Sequence, residues 1–431
     1  MPRNRIIYQS EGLYCGPAPA TGYHLYGVAD PTGWASKQRA VFTGISGPGG
    51  ETAVRQLQRI QNANYSFNIA RQDVNQFGEL AAIDRVVLES PTVTLDFSYY
   101  LCSLVNEHLL GFSVRNSGDD GGDFSAISGF LNKETDERNY FIKTVKEGQD
   151  DRKVLEEQKG DSPTQNVIGI GNGFLTSYTT EAAIGDFPTV SVSVEALNMA
   201  FDAGTSGNFI PAVTPTDGKK NTTEYYHLPS GQEHSVPHML ENDGFGNPVY
   251  GTTGDYISAL RPGDITLDIL DAGTLNQAMG GAGSADELGD AGLKIGDAKI
   301  QSYSLSFDLA REPLQKLGNK YAFAREITFP VTVTCTVDAQ MGDMYTGNLS
   351  DVIEVNKDYD LLMKIGAPGT VGDGANTRIS YKLKKAKLDS QEFTSDIGTN
   401  KSVSLTFSSQ IGGPAQTDRG LFVSGFIANG F

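Results

Sequence analysis

The chain has 431 residues, and its 52 Asp and Glu outnumber 34 Lys and Arg to give a formal charge of −18 and a pI near 4.7. That balance argues against a stable grip on a nucleic-acid backbone, which needs cations to displace counterions. Three unevenly spaced cysteines without a CxxC pair indicate neither a disulfide framework nor a zinc site, and point to a reducing compartment.

The length allows two domains. Abundant Gly with short Val, Ile and Thr runs points to short strands and many turns. The opening MPRNRIIYQSEGLYCG has no apolar core of signal-peptide length, and no stretch approaches the ~18 apolar residues of a membrane span. The expectation is a chain neither exported by that route nor embedded in a bilayer.

From residue 60 the sequence reads as a strand: Ala63, Tyr65, Phe67 and Ile69 alternate with Asn64, Ser66 and Asn68. Alternation of period two marks a strand buried on one face only. A second such strand carries Val93, Leu95, Phe97 and Tyr99 against Thr94, Asp96 and Ser98. The same text returns 240 residues later, where 60–94 aligns without a gap on 300–334 and twelve positions are identical, among them Phe67/Phe307, Arg71/Arg311, Gly78/Gly318 and Arg85/Arg325. Both faces are kept, with Tyr303, Leu305, Phe307 and Leu309 apolar, then Ile327 to Val337 alternating with threonines. Between the two strands lies REPLQKLG. Pro313 suits a first helical position and Gly318 a left-handed helix end, so the expectation is a short helix or turn.

The likeness resumes at an offset of 213, with Ile168, Ile170, Leu175, Val190 and Ser191 on Tyr381, Leu383, Leu388, Val403 and Ser404. The fall from 240 to 213 gives the first copy 27 extra residues, and NSGDDGGDFSAISG and the charged run from Lys143 to Asp161 are the candidates. The expected organisation is a first copy over 1–200 with an insertion within about 100–165, a linker or excursion over 201–254, and a second copy over 255–431. GGAGSADELGD, at 280–290, reads as a further insertion.

No motif carries chemistry. His227, His234 and His238 are close in sequence, but Pro237 breaks helical spacing and no cysteine is near, which favours a solvated loop over a metal site. Asp119, Asp120 and Asp123 lack the alternate ligand spacing of a calcium loop. Lys146 to Lys159 reads as a solvated charged face rather than a partner-binding helix. GxSxG, GxxxxGK[ST] and a strand-borne GxGxxG are missing, so no hydrolase, P-loop or dinucleotide site is expected, and neither is a cofactor. Cys335 falls on the apolar side of its strand, as a small core residue. Arg71, Arg311, Arg85 and Arg325 read as surface residues or as interface ion pairs, and Gly78, Gly318, Phe67 and Phe307 as structural positions of the repeat.

The pattern SYSLSFDLAREPLQKLGNKYAFAREITFPVTVTCTVDA, occurring in both copies, resembles the tail tube (major tail) proteins of long-tailed bacteriophages. The resemblance implies a mainly β chain: two tandem tail-tube-like β-barrel or sandwich domains, each with a short flanking helix. It further implies a non-enzymatic virion protein, made and assembled in the host cytoplasm. Three two-domain chains would close a pseudo-hexameric ring, and the rings would stack into a tube that conducts genome DNA. Its partners would be itself, the tape measure, tail terminator and tail tip proteins, and transiently double-stranded DNA, with no membrane bound by this chain. An acidic wall suits such a conduit because it removes the counterion-release gain of a basic one. The runner-up is a tail-tip or baseplate ring of the same barrel that forms no long tube. A two-domain sugar-binding or hydrolytic sandwich would need an aromatic or carboxylate cluster that the sequence does not display.

Overall fold

The alternating segments pair into one antiparallel system. The computed structural model describes residues 11–17, 52–53, 55–87, 91–116, 125–131, 136–144, 166–202, 211–213, 226–227, 260–271, 298–318, 321–322, 324–341, 358–366, 377–394, 402–413 and 416–425. Among these, the first half holds β1 (Gly12–Pro17), β2 (Thr52–Ala53), β3 (Arg55–Gln56), β4 (Ile60–Asn68), β5 (Arg71–Val74), β6 (Asp84–Val87) and β7 (Thr92–Tyr100). Helix α1 (Val105–Leu110), β8 (Val114–Asn116), β9 (Arg138–Thr144), β10 (Asn166–Ala183), β11 (Thr189–Ala196), β12 (Asn198–Asp202) and β13 (Tyr226–His227) follow. The second half holds β14 (Ile265–Asp271), β15 (Ala298–Asp308), β16 (Arg311–Leu314), β17 (Ala324–Ile327) and β18 (Val331–Met341). It ends with β19 (Tyr359–Gly366), β20 (Thr377–Thr394), β21 (Ser402–Ile411) and β22 (Gly420–Gly425).

Sixteen of these strands belong to one sheet system, whose backbone is a run of eight in the order β4-β7-β11-β10-β15-β18-β21-β20. Its apolar face carries Val93, Leu95, Phe97, Val190, Val192, Leu305, Phe307, Val333, Cys335 and Leu405, all buried. Alternation in sequence thus becomes one dry and one wet face, as expected for an antiparallel sheet with a single core. The 18-residue strands β10 and β20 each outlast this run. Their first halves join smaller groups, β10 with β9 and β12, β20 with β19 and β22, while β1 extends from β9 and β14 from β19.

Register repeats as closely as sequence does. The bulge between Ile60 and Asn62 against β7 recurs 240 residues on, between Ile300 and Ser302 against β18. The bulge between Leu175 and Ser177 against β11 recurs 213 residues on, between Leu388 and Ser390 against β21. A bulge adds one unpaired residue and bends its strand, so identical placement fixes the same curvature and facing in both halves. Each long strand also turns at one left-handed residue, Asn172 at φ 55° and Lys385 at φ 50°. In both cases a side chain of the neighbouring strand accepts from the backbone N–H there, Asn139 Oδ1 at 3.1 Å and Asp360 Oδ1 at 2.9 Å.

Two sequence expectations are corrected. The stretch from Arg311 is no helix: β16 pairs with β17, Arg311 opposite Ile327 and Leu314 opposite Ala324, and β5 pairs with β6 in the same register. Helix nucleation is costly for so few residues, and an exposed two-stranded hairpin tolerates Pro313. The left-handed glycines are found as expected, Gly78 at φ 95° and Gly318 at φ 89°, but they serve hairpin turns. A short α-helix, α1, lies instead after β7 with every residue buried. Secondly, Phe307 is 2 % exposed whereas its repeat partner Phe67 is 42 % exposed. Phe307 is covered by Tyr178 of β10, 5.6 Å between ring centroids, and by Phe112 at 5.9 Å. β4 lies at the end of the run, with no strand beyond it among the described residues.

Of the segments expected as insertions, β9 includes Lys143, which is buried, and 125–131 pack as a short 3-10 turn. β12 crosses the expected boundary at residue 200, and the Val213 N–H donates to Asn172 Oδ1 at 2.8 Å, so the start of the excursion is tied to the first half. His227 lies in β13, while His234, His238, Asp119, Asp120, Asp123, Lys146 to Lys159 and 280–290 fall outside the described residues. Cys335 is buried, as are Cys15 and Cys102, and burial pushes the thiols of Cys335 and Cys15 up to about 12.

The burial asymmetry makes a direct prediction for the unassembled chain. Phe307→Ala costs about 3–5 kcal/mol, as for other buried aromatics, and Phe67→Ala costs less than about 1 kcal/mol. Urea unfolding of the two variants at low protein concentration measures the difference.

Candidate functional interface

The arrangement that stands out is a junction between strands of the two halves. β10 and β15 pair antiparallel, with Tyr178 opposite Phe307, Thr180 opposite Leu305 and Glu181 opposite Ser304. Edge strands carry unmet backbone donors and acceptors, and this pairing satisfies one such edge from each half. It leaves the run with two ends, β4 and the second part of β20.

Those ends are equivalent by the repeat to the strands that meet inside the chain. β4 occupies the place of β15, and β20 that of β10, by the shared bulges and offsets. Both ends show apolar side chains whose counterparts are covered at the internal junction. Tyr65 is 39 % and Phe393 43 % exposed, against 0 % for Leu305 and Thr180 at the matching positions.

A hairpin reinforces the internal junction. Arg311 of β16 donates bidentately to Asp136 at 2.6 Å to each oxygen and to the Leu175 carbonyl at 3.1 Å. Arg325 of β17 is bonded to Glu195 of β11. The guanidinium carbon of Arg311 lies 5.1 Å from the centre of the Phe174 ring and that of Arg325 6.0 Å, within reach of cation–π attraction. Burial raises the Asp136 carboxyl above its ordinary value even with the guanidinium on it. Arg311 and Arg325 are thus ion-paired within the chain, to Asp136 and Glu195. Arg71 and Arg85 are not so placed: β5 and β6 are exposed throughout, and Arg85 Nε donates to Asp73 of its own hairpin at 2.6 Å. The tips of the hairpins carry Phe77 and Leu317, equivalent in the repeat and both fully exposed.

Beneath the junction lies a buried polar group. Tyr99 donates to Glu107 Oε1 at 2.7 Å and Tyr178 to the same oxygen at 3.1 Å. Tyr178 and Tyr381 hydroxyls meet at 3.1 Å, which connects both halves through α1. Glu107 Oε2 is buried with no hydrogen-bond partner among the described residues. Desolvation outweighs the tyrosine bonds and raises the carboxyl to about 7. Glu137, which accepts from the Asn172 amide, is raised to about 7 by the same cause.

The opposite, wet face of the run is built of hydroxyls and carboxylates: Thr332, Thr334, Thr336 and Asp338 on β18, Ser302 to Asp308 alternately on β15, and Ser191, Ser193 and Glu195 on β11. A depression there is lined by Glu181, Asp186, Asp338, Tyr100 and Phe187. Among the described residues no group of three or more His, Cys, Asp or Glu is placed to hold a metal ion, and no helix is long and apolar enough to cross a membrane. No protein-family model and no curated protein matches the chain.

Sequence reasoning missed Asp136, Glu195, Phe174 and Glu107. Two of them do not recur in the repeat: Lys387 stands in the place of Phe174 and Ser408 in that of Glu195.

Glu107 and Glu137 give the fold a pH dependence of definite sign. Their folded values lie above the ordinary 4.5, so the native state binds more protons than the unfolded chain between about 4.5 and 7. Their stabilisation is complete below about pH 4.5 and is lost as pH rises through about 7. Thermal unfolding from pH 5 to 8 is expected to show a falling midpoint, and Glu107→Gln, which keeps the acceptor oxygen and cannot ionise, reduces that fall by on the order of 1–3 kcal/mol.

Proposed function

We propose that this chain is a structural, non-enzymatic bacteriophage tail tube protein: two fused β-barrel modules per chain, assembling head to tail into rings that stack into a conduit for DNA. The observation that carries the reading is the pairing of β10 with β15 between ends equivalent to those left over at β20 and β4. A contact between unlike surfaces of one molecule is heterologous, and it generates either a closed ring or an open filament. Repeating the internal register places Phe393 of one chain opposite Tyr65 of the next and Gln391 opposite Phe67. The exposed apolar residues at both ends would then be covered, and every module would have the same two neighbours. Three chains would make six modules and a wall of twenty-four strands, eight from each chain.

The two faces of the run suit the same role. The apolar face needs the core beneath it, so the hydroxyl and carboxylate face is the one available to line a bore. The carboxylates of such a wall disfavour phosphate, and Lys387 on the same face lies 3.8 Å from Asp358. Where Arg325 reaches the rim of this face, its charge is met by Glu195. The protein's partners on this reading are its own copies and the proteins at the two ends of a tail, within the virion.

Electron microscopy of the purified protein at rising concentration tests the reading. Rings stacking into tubes with a central channel are the expected result. Isolated rings that never stack favour a tail-tip or baseplate component, and a monodisperse monomer at high concentration contradicts both.

A further inference from the structure

The two hairpins differ in one respect that matters for assembly. β16–β17 seats on the first half through Arg311, Arg325 and the ring of Phe174, whereas the equivalent β5–β6 is exposed at every position among the described residues. The surface equivalent to that seat lies on β20, where Leu388 takes the place of Leu175 and Lys387 that of Phe174. Lys387 is itself exposed, 3.8 Å from Asp358.

The two differences between the hairpins and between the seats compensate. Pro313 in β16, opposite Arg325, corresponds to Asp73 in β5, opposite Arg85. The seat of β16–β17 has the phenyl ring of Phe174, which faces Arg311 and Arg325, and the equivalent position on β20 has the ammonium of Lys387. Placing Arg71 and Arg85 beside Lys387 would set three cations against the one carboxylate near that seat, Asp358. The carboxylate of Asp73 supplies the balancing charge on the same hairpin face as the two arginines.

We infer that hairpin β5–β6 clasps the next copy of this chain at the β20 bulge, with Arg71 donating to the Leu388 carbonyl and Asp73 pairing with Lys387. The inference rests on the head-to-tail reading above and names the side chains that fix its joint. It also accounts for order around the ring. The phenyl seat takes only the proline-bearing hairpin and the ammonium seat only the carboxylate-bearing one, so internal and intermolecular joints are not interchangeable. Like charges set against each other suppress the wrong pairing.

Charge reversal tests the clasp. Asp73 and Lys387 side chains are 46 % and 60 % exposed, so Asp73→Lys and Lys387→Asp are compatible with folding, which unfolding midpoints of the dilute proteins verify. Mass photometry and electron microscopy of the full chain read assembly. Each single variant is expected to raise the concentration needed for rings by about tenfold, and the double variant D73K/K387D to return it close to that of the unaltered protein. Unaltered assembly in both single variants overturns the clasp and leaves the ring reading intact. Loss in the single variants without recovery in the double overturns the pairing of Asp73 with Lys387. Failure of the unaltered protein to assemble removes the ring reading, and the clasp with it.

Discussion

A strand edge is a row of backbone donors and acceptors that water satisfies adequately and another strand satisfies better. In this protein the pairing of β10 with β15 resolves that constraint once, inside the chain, and the rest of the structure follows from how it is resolved. The pairing sets Tyr178 beside Phe307, brings Tyr381 to the buried Glu107 group and gives Arg311 and Arg325 a seat on the first half. It also leaves β4 and β20 as the two ends of the eight-strand run.

The duplication is visible in sequence because strands report themselves through alternation, and alternation cannot slip by one residue without turning the core outward. The offsets of 240 and 213 read from identities are the same offsets that relate the bulges at Ile60 and Ile300 and at Leu175 and Leu388. What failed was local reasoning about punctuation. Pro313 and Gly318 fit a helix start and stop as well as they fit a hairpin, and the hairpin forms in the same register in the first half, where Asp73 stands in the place of Pro313. Burial was also not legible from equivalence. Phe67 and Phe307 have the same sequence neighbours and different spatial ones, because Tyr178 and Phe112 come from elsewhere.

The site residues that sequence inspection overlooked are those where the halves have diverged. Asp136, Glu195 and Phe174 complete the internal joint, and with Lys387 and Ser408 in the places of Phe174 and Glu195 the second half has a different seat. A search for shared residues finds the arginines that are kept and passes over the partners that differ. On the proposed head-to-tail reading, this divergence separates a joint made within the chain from its twin made between molecules at a concentration-dependent stage.

The claim most open to direct test is that the joint inside the chain is the template for the joint between chains. Carried over by the repeat, the internal pair Thr180 and Leu305 becomes Phe393 of one copy facing Tyr65 of another. Cysteines placed at 65 and 393 in one chain, with Cys15, Cys102 and Cys335 left buried in their cores, allow oxidative cross-linking of assembled protein. Intermolecular disulfides that link the chains into covalent oligomers ending at the trimer are the result this account predicts. Cross-links confined within single chains, or none in a preparation that has assembled, would contradict it.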